Sequence, residues 1–186
     1  MNETVVVDAN IALKWVLTES DSQIARALLA EWKKKKTIVY VPTLLTYEVT
    51  NILYREVRAG RITSETAQDG INLIFRAVSP VFSRNFALNL RALALAKQFG
   101  LSAAYDTHYL ALAERKECPL WTADTRMWRA VKDQFDWVRW IGDFPVTKHE
   151  RIFNGTKEQL FEDSTETIQQ QRAERTRQLI GKEDEP

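Results

Sequence analysis

The sequence contains a single cysteine, Cys118, among 186 residues. One thiol cannot form an internal disulfide, and without a second cysteine there is no thiolate cluster that would bind zinc. This composition fits a reducing compartment, so we expect a cytoplasmic protein. Any metal ion in this protein is expected to bind through oxygen ligands.

Long apolar runs and a strong charge bias are also missing. No uninterrupted stretch approaches the roughly 20 residues that span a bilayer. The first residues, MNETVVVDAN, lack the features of a secretion signal. The net charge is +1, with a slight basic excess before residue 147, which permits binding to nucleic acid without requiring it. We therefore expect a soluble protein that makes no membrane contact.

The length and the 45% hydrophobic content are typical of one domain with a polar extension. After Pro145 the chain becomes rich in Lys, Glu, Gln, Arg and Thr. We predict a domain over residues 1–146 and a polar tail over residues 147–186, partly helical or disordered, with a helix near 164–180.

Short β-branched runs alternate with longer helical patterns, which indicates an α/β fold with a parallel sheet covered by helices. Pro42 is expected to open the third helix, Thr63 to cap the fourth and Ser102 to cap the sixth. The predicted strands are 4–7, 37–41, 78–82, 119–123 and 137–141. The predicted helices are 10–17, 22–34, 43–59, 64–76, 86–98, 103–116 and 125–133.

Four acidic residues occupy positions that suggest a shared site. Asp8 follows the buried-strand pattern Val5–Val7, and Asp124 follows a second predicted strand. The carboxyl ends of parallel strands form the ligand-binding edge of such a sheet. Glu48 and Asp106 lie among apolar residues of predicted helices, where an unpaired carboxylate is costly. Together the four acids predict a site for a hard divalent cation, which would activate water for phosphodiester hydrolysis.

Each acid also has a structural explanation. Asp8 and Asp124 are suitable helix N-caps. Glu48 is able to pair with Lys14 or an arginine. Asp106 suits the first turn of a helix, where negative charge is favourable. The functional interpretation depends on the four residues as a set.

Three segments of the chain resemble PIN-domain ribonucleases, and more narrowly VapC-type toxins of toxin–antitoxin pairs. The segments are VVVDANIALKWVLTES, VPTLLTYEVTNILYREVRAGRIT and LALAKQFGLSAAYDTHYLALAERKECPLWTADTRMW. The resemblance implies a three-layer fold whose five-stranded sheet has the order 3-2-1-4-5. It also implies Mg²⁺ or Mn²⁺ at a site formed by Asp8, Glu48, Asp106 and Asp124.

The same resemblance has consequences for activity and partners. It implies an endoribonuclease that cleaves RNA, including structured RNA such as tRNA, and a homodimer inhibited by a VapB-like antitoxin. Asn10 and Thr122 match flanking polar positions, and we expect them to form hydrogen bonds with the carboxylates or with water on the metal ion.

Several further residues are weaker candidates. Lys14 is predicted to contact an RNA phosphate, to pair with one of the acids, or to be a solvated lysine. The run Lys33–Lys36 would contact the RNA backbone or form a solvated helix end. His108 is expected to form a hydrogen bond away from the acids. Five tryptophans would stack on unpaired bases or pack in the core or a dimer interface, and packing is the favoured interpretation for most of them. They are Trp15, Trp121, Trp128, Trp137 and Trp140.

Other protein classes share parts of this pattern. A haloacid-dehalogenase-like phosphatase also starts from a strand-end aspartate, but it needs a second aspartate where this chain has Asn10. The remaining alternative is a catalytically silent PIN-like module that binds RNA or protein. Retention of all four acids argues against such a module.

Overall fold

The computed structural model describes residues 3–81, 86–101 and 103–145. The predicted tail, 147–186, and its helix near 164–180 lie outside these residues, as does Ser102. Among the residues described, no helix combines the length and the apolar character needed to cross a membrane.

Five short strands form one sheet, in the order β3-β2-β1-β4-β5, and every pair of neighbours is parallel. The α/β class is therefore confirmed, and the strand order coincides with the one that the resemblance implied. The strands are β1 (Thr4–Val7), β2 (Ile38–Pro42), β3 (Ser79–Val81), β4 (Leu120–Thr122) and β5 (Val138–Trp140).

Seven α-helices connect or follow the strands within the described ranges. They are α1 (Ala9–Lys14), α2 (Ser22–Lys35), α3 (Leu44–Arg58), α4 (Ser64–Ala77), α5 (Phe86–Gln98), α6 (Tyr105–Lys116) and α7 (Thr125–Val131). Helix α1 packs against α2 and α3, α3 packs against α4, and α6 packs against α5 and against strands β1, β2 and β4.

The ends of three helices show how local chemistry sets the boundaries. The Thr63 side chain accepts a hydrogen bond from the Thr66 N–H, which confirms it as the cap of α4. The prediction for Pro42 was wrong: it is the last residue of β2, paired with Val81, and α3 starts after Thr43. Helix α6 starts after Ala104, whose side chain forms no capping hydrogen bond, and the predicted cap Ser102 lies outside the residues described.

The middle of the sheet is the centre of the core. Strand β1 lies between β2 and β4, and Val5, Val6 and Val7 are each no more than 1% exposed. A central parallel strand is buried on both faces, which explains its uninterrupted β-branched sequence. The end of this strand is therefore a rigid and deeply buried point from which to place a functional side chain.

Candidate active site at the carboxyl edge of the sheet

Strands β1 and β4 bring two of the predicted acids to the same edge. Val7 pairs with Trp121 in the parallel register, and the Asp8 N–H donates to the Trp121 carbonyl at 3.3 Å. Asp8 follows Val7 directly, and Asp124 follows the end of β4. Because the strands are parallel neighbours, both acids lie at the carboxyl edge of the sheet, where α/β proteins bind ligands.

A threonine hydroxyl connects the two acids. Thr122 Oγ1 donates to Asp8 Oδ2 at 2.5 Å and accepts from the Asp124 N–H at 2.9 Å. Asn10 Nδ2 also donates to Asp8 Oδ2, at 3.3 Å. Asn10 and Thr122 therefore form the expected hydrogen bonds with a carboxylate, while their role beside a metal ion stays a prediction.

Both acids also cap helices, so their structural explanation is correct as far as it goes. Asp8 Oδ1 accepts from the Ile11 N–H at 2.9 Å at the start of α1. Asp124 Oδ1 accepts from the N–H groups of Arg126 and Met127 at the start of α7. Capping does not require burial, however, and these two side chains are 0% and 2% exposed.

Burial changes the acidity of Asp8. Removal from solvent raises its pKa from 3.8 to about 6, and the nearby charge of Asp124 acts in the same direction. Hydrogen bonds from Thr122, Ile11 and Asn10 act against this rise but do not cancel it. At neutral pH the fold holds a carboxylate in an environment that disfavours its charge, and a cation would relieve that cost.

Asn10 supplies a second unsatisfied feature. Its side chain is fully buried, and its Oδ1 has no hydrogen-bond donor among the residues described. A buried acceptor without a donor is costly. A cation or its water would satisfy this oxygen, so the orphaned atom and the two carboxylates form a donor set of oxygens only. Mg²⁺ is commonly held by one or two carboxylates while it keeps several waters, and this corner fits such an ion.

Glu48 and Asp106 approach the same edge on helices. Glu48 is 1% exposed and lies in the second turn of α3, which starts where β2 ends. Asp106 is half-buried in the first turn of α6, as its structural explanation requires. The Tyr109 hydroxyl on α6 donates to Glu48 Oε2 at 2.6 Å, which brings the start of α6 to α3.

The four acids do not form a ready-made cluster. Within the described ranges, no three side chains of histidine, cysteine, aspartate or glutamate lie together as a metal site. The structure joins Asp8 with Asp124 through Thr122, and it ties Glu48 to the helix that carries Asp106. A single site for all four acids remains a prediction.

Lys14 is buried beside an acid, whereas a phosphate contact would require its amino group to be accessible. It is 1% exposed, and its Nζ donates to Glu19 Oε2 at 3.1 Å. A lysine buried beside an acid does not present its charge to solvent, so the predicted phosphate contact receives no support. The acid beside it, Glu19, was not considered in the sequence analysis.

The other secondary candidates behave as structural residues. His108 Nδ1 lies 2.7 Å from the Ala104 carbonyl, as expected for a hydrogen bond away from the acids. Lys33–Lys36 lie before β2, at the edge opposite Asp8. Aromatic packing accounts for most of the tryptophans, in the pairs Trp32–Trp121, Trp121–Phe144, Trp128–Trp140 and Phe135–Trp137.

Tyr109 is the site residue that the sequence analysis missed. The sequence analysis did not single it out, although it follows Asp106 by three residues and so shares its helix face. A phenol in that position is able to reach a polar partner, and this was the available signal.

Comparison with known proteins agrees with this geometry. The PIN domain family model matches residues 5–133. No curated protein matches the chain. A solved structure titled "Crystal structure of PAE2754 from Pyrobaculum aerophilum" is similar, with a TM-score of 0.52 and 22% identity over 76% of this chain and 93% of the other. At that identity the likeness shows a shared fold. The chain belongs to the PIN domain family, whose members are generally nucleases.

Proposed function

We propose that this protein is a metal-dependent endoribonuclease and the toxin of a VapBC-type toxin–antitoxin pair. The observation that carries the enzymatic part is the buried corner formed by Asp8, Thr122, Asp124 and Asn10. It combines a carboxylate whose pKa is raised to about 6 with an amide oxygen that has no donor among the described residues. Membership of a generally nucleolytic family supports hydrolysis of nucleic acid.

In this proposal, each side chain of the corner has a defined task. Asp8 and Asp124 would hold Mg²⁺ or Mn²⁺ through carboxylate oxygens, and Glu48 and Asp106 would complete the ligand set. Asn10 and Thr122 fix the Asp8 carboxylate, and Asn10 Oδ1 orients water beside it. When bound, the cation lowers the pKa of water and neutralises charge that develops on the phosphoryl oxygens.

The direct test uses a covalently closed circular RNA together with a linear RNA, a tRNA and a DNA flap. We expect the wild-type chain to open the circle in Mg²⁺ or Mn²⁺, because an endonuclease needs no free end, and EDTA to stop the reaction. Asp8→Asn should abolish cleavage. Asp69→Asn is the matched control, because it makes the same chemical change at an exposed site on α4.

The alternatives predict other outcomes. Cleavage that survives EDTA or Asp8→Asn would reject the metal-dependent mechanism. Binding of RNA without cleavage would favour the catalytically silent module, and preference for the DNA flap would favour a DNA-processing enzyme.

The toxin and partner parts of the proposal rest on the sequence resemblance and on one surface feature. Helix α5 exposes Phe86, Leu90 and Leu93, which are 55–75% exposed and spaced four and three residues apart on one face. An exposed apolar face of this kind is typical of an interaction surface. We assign this face to the homodimer, and a Leu90→Glu protein should become monomeric in light-scattering measurements.

The toxin role has its own test. Induced expression should arrest growth in the wild type and not in Asp8→Asn, and a short DNA-binding protein encoded beside the gene should relieve the arrest. Growth arrest that persists in Asp8→Asn would contradict a nucleolytic toxin.

A further inference from the structure

The contact between Tyr109 and Glu48 is a buried polar contact between two separate helices. Tyr109 is 0% exposed and has the largest of the fully buried side chains described, while Glu48 is 1% exposed. The phenol donates to Glu48 Oε2 at 2.6 Å, across 61 residues of sequence. This distance lies at the short end of the range for O–H···O hydrogen bonds.

The two partners differ in their freedom to move. A glutamate side chain has three rotatable bonds, whereas the tyrosine ring has two and is enclosed by the core. Because the ring is fixed by the core, the hydrogen bond restricts the motion of the Glu48 carboxylate. With Oε2 held by the phenol, the orientations open to the Glu48 carboxylate, and so to Oε1, are restricted.

The position of Tyr109 on α6 relates its hydrogen bond with Glu48 to the predicted metal site. Asp106 precedes Tyr109 by three residues, so both lie on one face of α6 at its start. Helix α6 thus carries one predicted metal-site acid and the anchor for another. Any change in the position of α6 would move Asp106 and Glu48 together.

We propose that Tyr109 is a positioning residue, whose hydroxyl holds the Glu48 carboxylate in the orientation in which it binds the divalent cation. This inference rests on the proposed metal-dependent function. It adds a residue that contacts neither the cation nor the RNA and acts only through Glu48.

The test compares Tyr109→Phe with Tyr40→Phe, because both remove one hydroxyl and keep the ring. Tyr40 is half-buried in β2, with Lys116 over its ring face, which phenylalanine retains. Mn²⁺ affinity is measured by titration calorimetry, and the Mg²⁺ dependence of RNA cleavage gives a half-saturating concentration and a kcat. Thermal unfolding in EDTA reports the structural cost of each substitution.

We expect Tyr109→Phe to weaken Mn²⁺ binding by about 10-fold or more, and to raise the half-saturating Mg²⁺ concentration in proportion. Saturating Mg²⁺ should restore most of the kcat, and Tyr40→Phe should resemble the wild type. In a Glu48→Gln background, Tyr109→Phe should have no further effect on Mn²⁺ affinity, because the two residues act as one unit. Unchanged affinity in Tyr109→Phe, with only its unfolding temperature lowered, would overturn the proposal.

If Tyr109→Phe folds poorly, a measurement on the wild-type sequence still tests the proposal. The protein is labelled with 3-fluorotyrosine, and the ¹⁹F resonance of Tyr109 is identified by Tyr→Phe substitution of the other four tyrosines in turn. Addition of Mg²⁺ should shift this resonance and leave that of Tyr40 in place. A Tyr109 resonance that ignores Mg²⁺ in a protein that binds it would overturn the positioning role alone. A wild-type protein that binds neither Mn²⁺ nor Mg²⁺ would overturn the proposed function as well.

Discussion

Two buried acids of this protein, Asp8 and Glu56, are held in different ways. They are 0% and 2% exposed. Glu56 on α3 forms two hydrogen bonds of 2.6 Å with the guanidinium of Arg61, so its charge is neutralised by a cation of the chain itself. The donors that reach Asp8 are the neutral groups of Thr122, Asn10 and Ile11.

The difference indicates what each acid is for. An asparagine caps a helix about as well as an aspartate does, so the capping role of Asp8 does not explain a buried charge. Glu56 has the arrangement expected of a structural ion pair. A carboxylate kept at a cost to stability, at the ligand-binding edge of the sheet, is the pattern of a functional site.

The largest expected effect contrasts the activities of Asp8→Asn and Glu56→Gln. Both variants exchange a buried acid for its amide. Asp8→Asn should reduce RNA cleavage to the level seen in EDTA, whereas folded Glu56→Gln should cleave at nearly the wild-type rate. Equal losses in the two variants, with folded fractions matched by circular dichroism, would remove the distinction between them.

Stability should change in opposite directions in the same two proteins. The raised pKa of Asp8 means that the folded protein holds more protons than the unfolded chain between about pH 4 and pH 6. Stability therefore falls as the pH rises through this range, and the loss is complete above it. Removing the charge with Asp8→Asn should stabilise the metal-free protein at pH 7.5 by up to about 3 kcal/mol.

The pH dependence provides the control for this prediction. The gain from Asp8→Asn should shrink as the pH falls from about 6 and disappear below about pH 3, where the Asp8 carboxyl is protonated in both the folded and the unfolded state. Glu56→Gln should instead lose about 1–3 kcal/mol at pH 7.5, because the guanidinium of Arg61 loses its charged partner. Urea denaturation in EDTA at several pH values measures both effects, and destabilisation by Asp8→Asn at pH 7.5 would be the contrary result.

A smaller loss of RNA cleavage is expected when the Thr122 hydroxyl, which connects Asp8 and Asp124, is removed. Thr122→Val keeps the shape of the side chain but removes the donor to Asp8 and the acceptor for the Asp124 N–H. Cleavage should fall by about 10–100-fold. Thr122→Ser keeps the hydroxyl and should retain most of the activity, measured as kcat/KM at fixed Mg²⁺. If valine and serine behave alike, the hydroxyl has no role in orienting Asp8.

The smallest effect on activity is expected from substitution of lysines at the edge of the sheet opposite Asp8. Replacing both Lys33 and Lys34 by alanine should change the KM for RNA by less than about twofold at physiological salt, because charges beyond the Debye length of about 8 Å are screened. A KM raised far above this, with a reduced salt dependence, would place the RNA across the lysine run instead.

The sequence predicts the features that depend on residues close together in the chain, and it fails for those that depend on distant partners. Val5–Val7 followed by Asp8 predicts a buried central strand that ends in an acid, because the apolar run and the acid are neighbours in the chain. The same local logic succeeds for Asp124 and for the cap formed by Thr63. It fails at Pro42, where pairing with β3 extends β2 by one residue.

Side-chain partners over longer distances were not accessible to this reasoning. Tyr109 lies 61 residues from Glu48, and only the tertiary fold brings the two side chains together. For Lys14 a phosphate contact, pairing with one of the site acids and a solvated side chain were all open. Helical periodicity gives the face of Lys14 but not the turn that places Glu19 against it. The positions of Asp8 and Asp124 at strand ends were predictable, and the residues that form hydrogen bonds with these acids were predictable only where they flank the same strands.

The most direct test of the central claim is the effect of Mg²⁺ on the thermal unfolding of the wild type and of Asp8→Asn at pH 7.5. A cation that binds only the folded protein stabilises it by about 3 kcal/mol at a hundred times its Kd. We predict a clear rise in the unfolding temperature of the wild type with Mg²⁺ and none in Asp8→Asn. An equal rise in both proteins, or no rise in either, would contradict a cation site at Asp8.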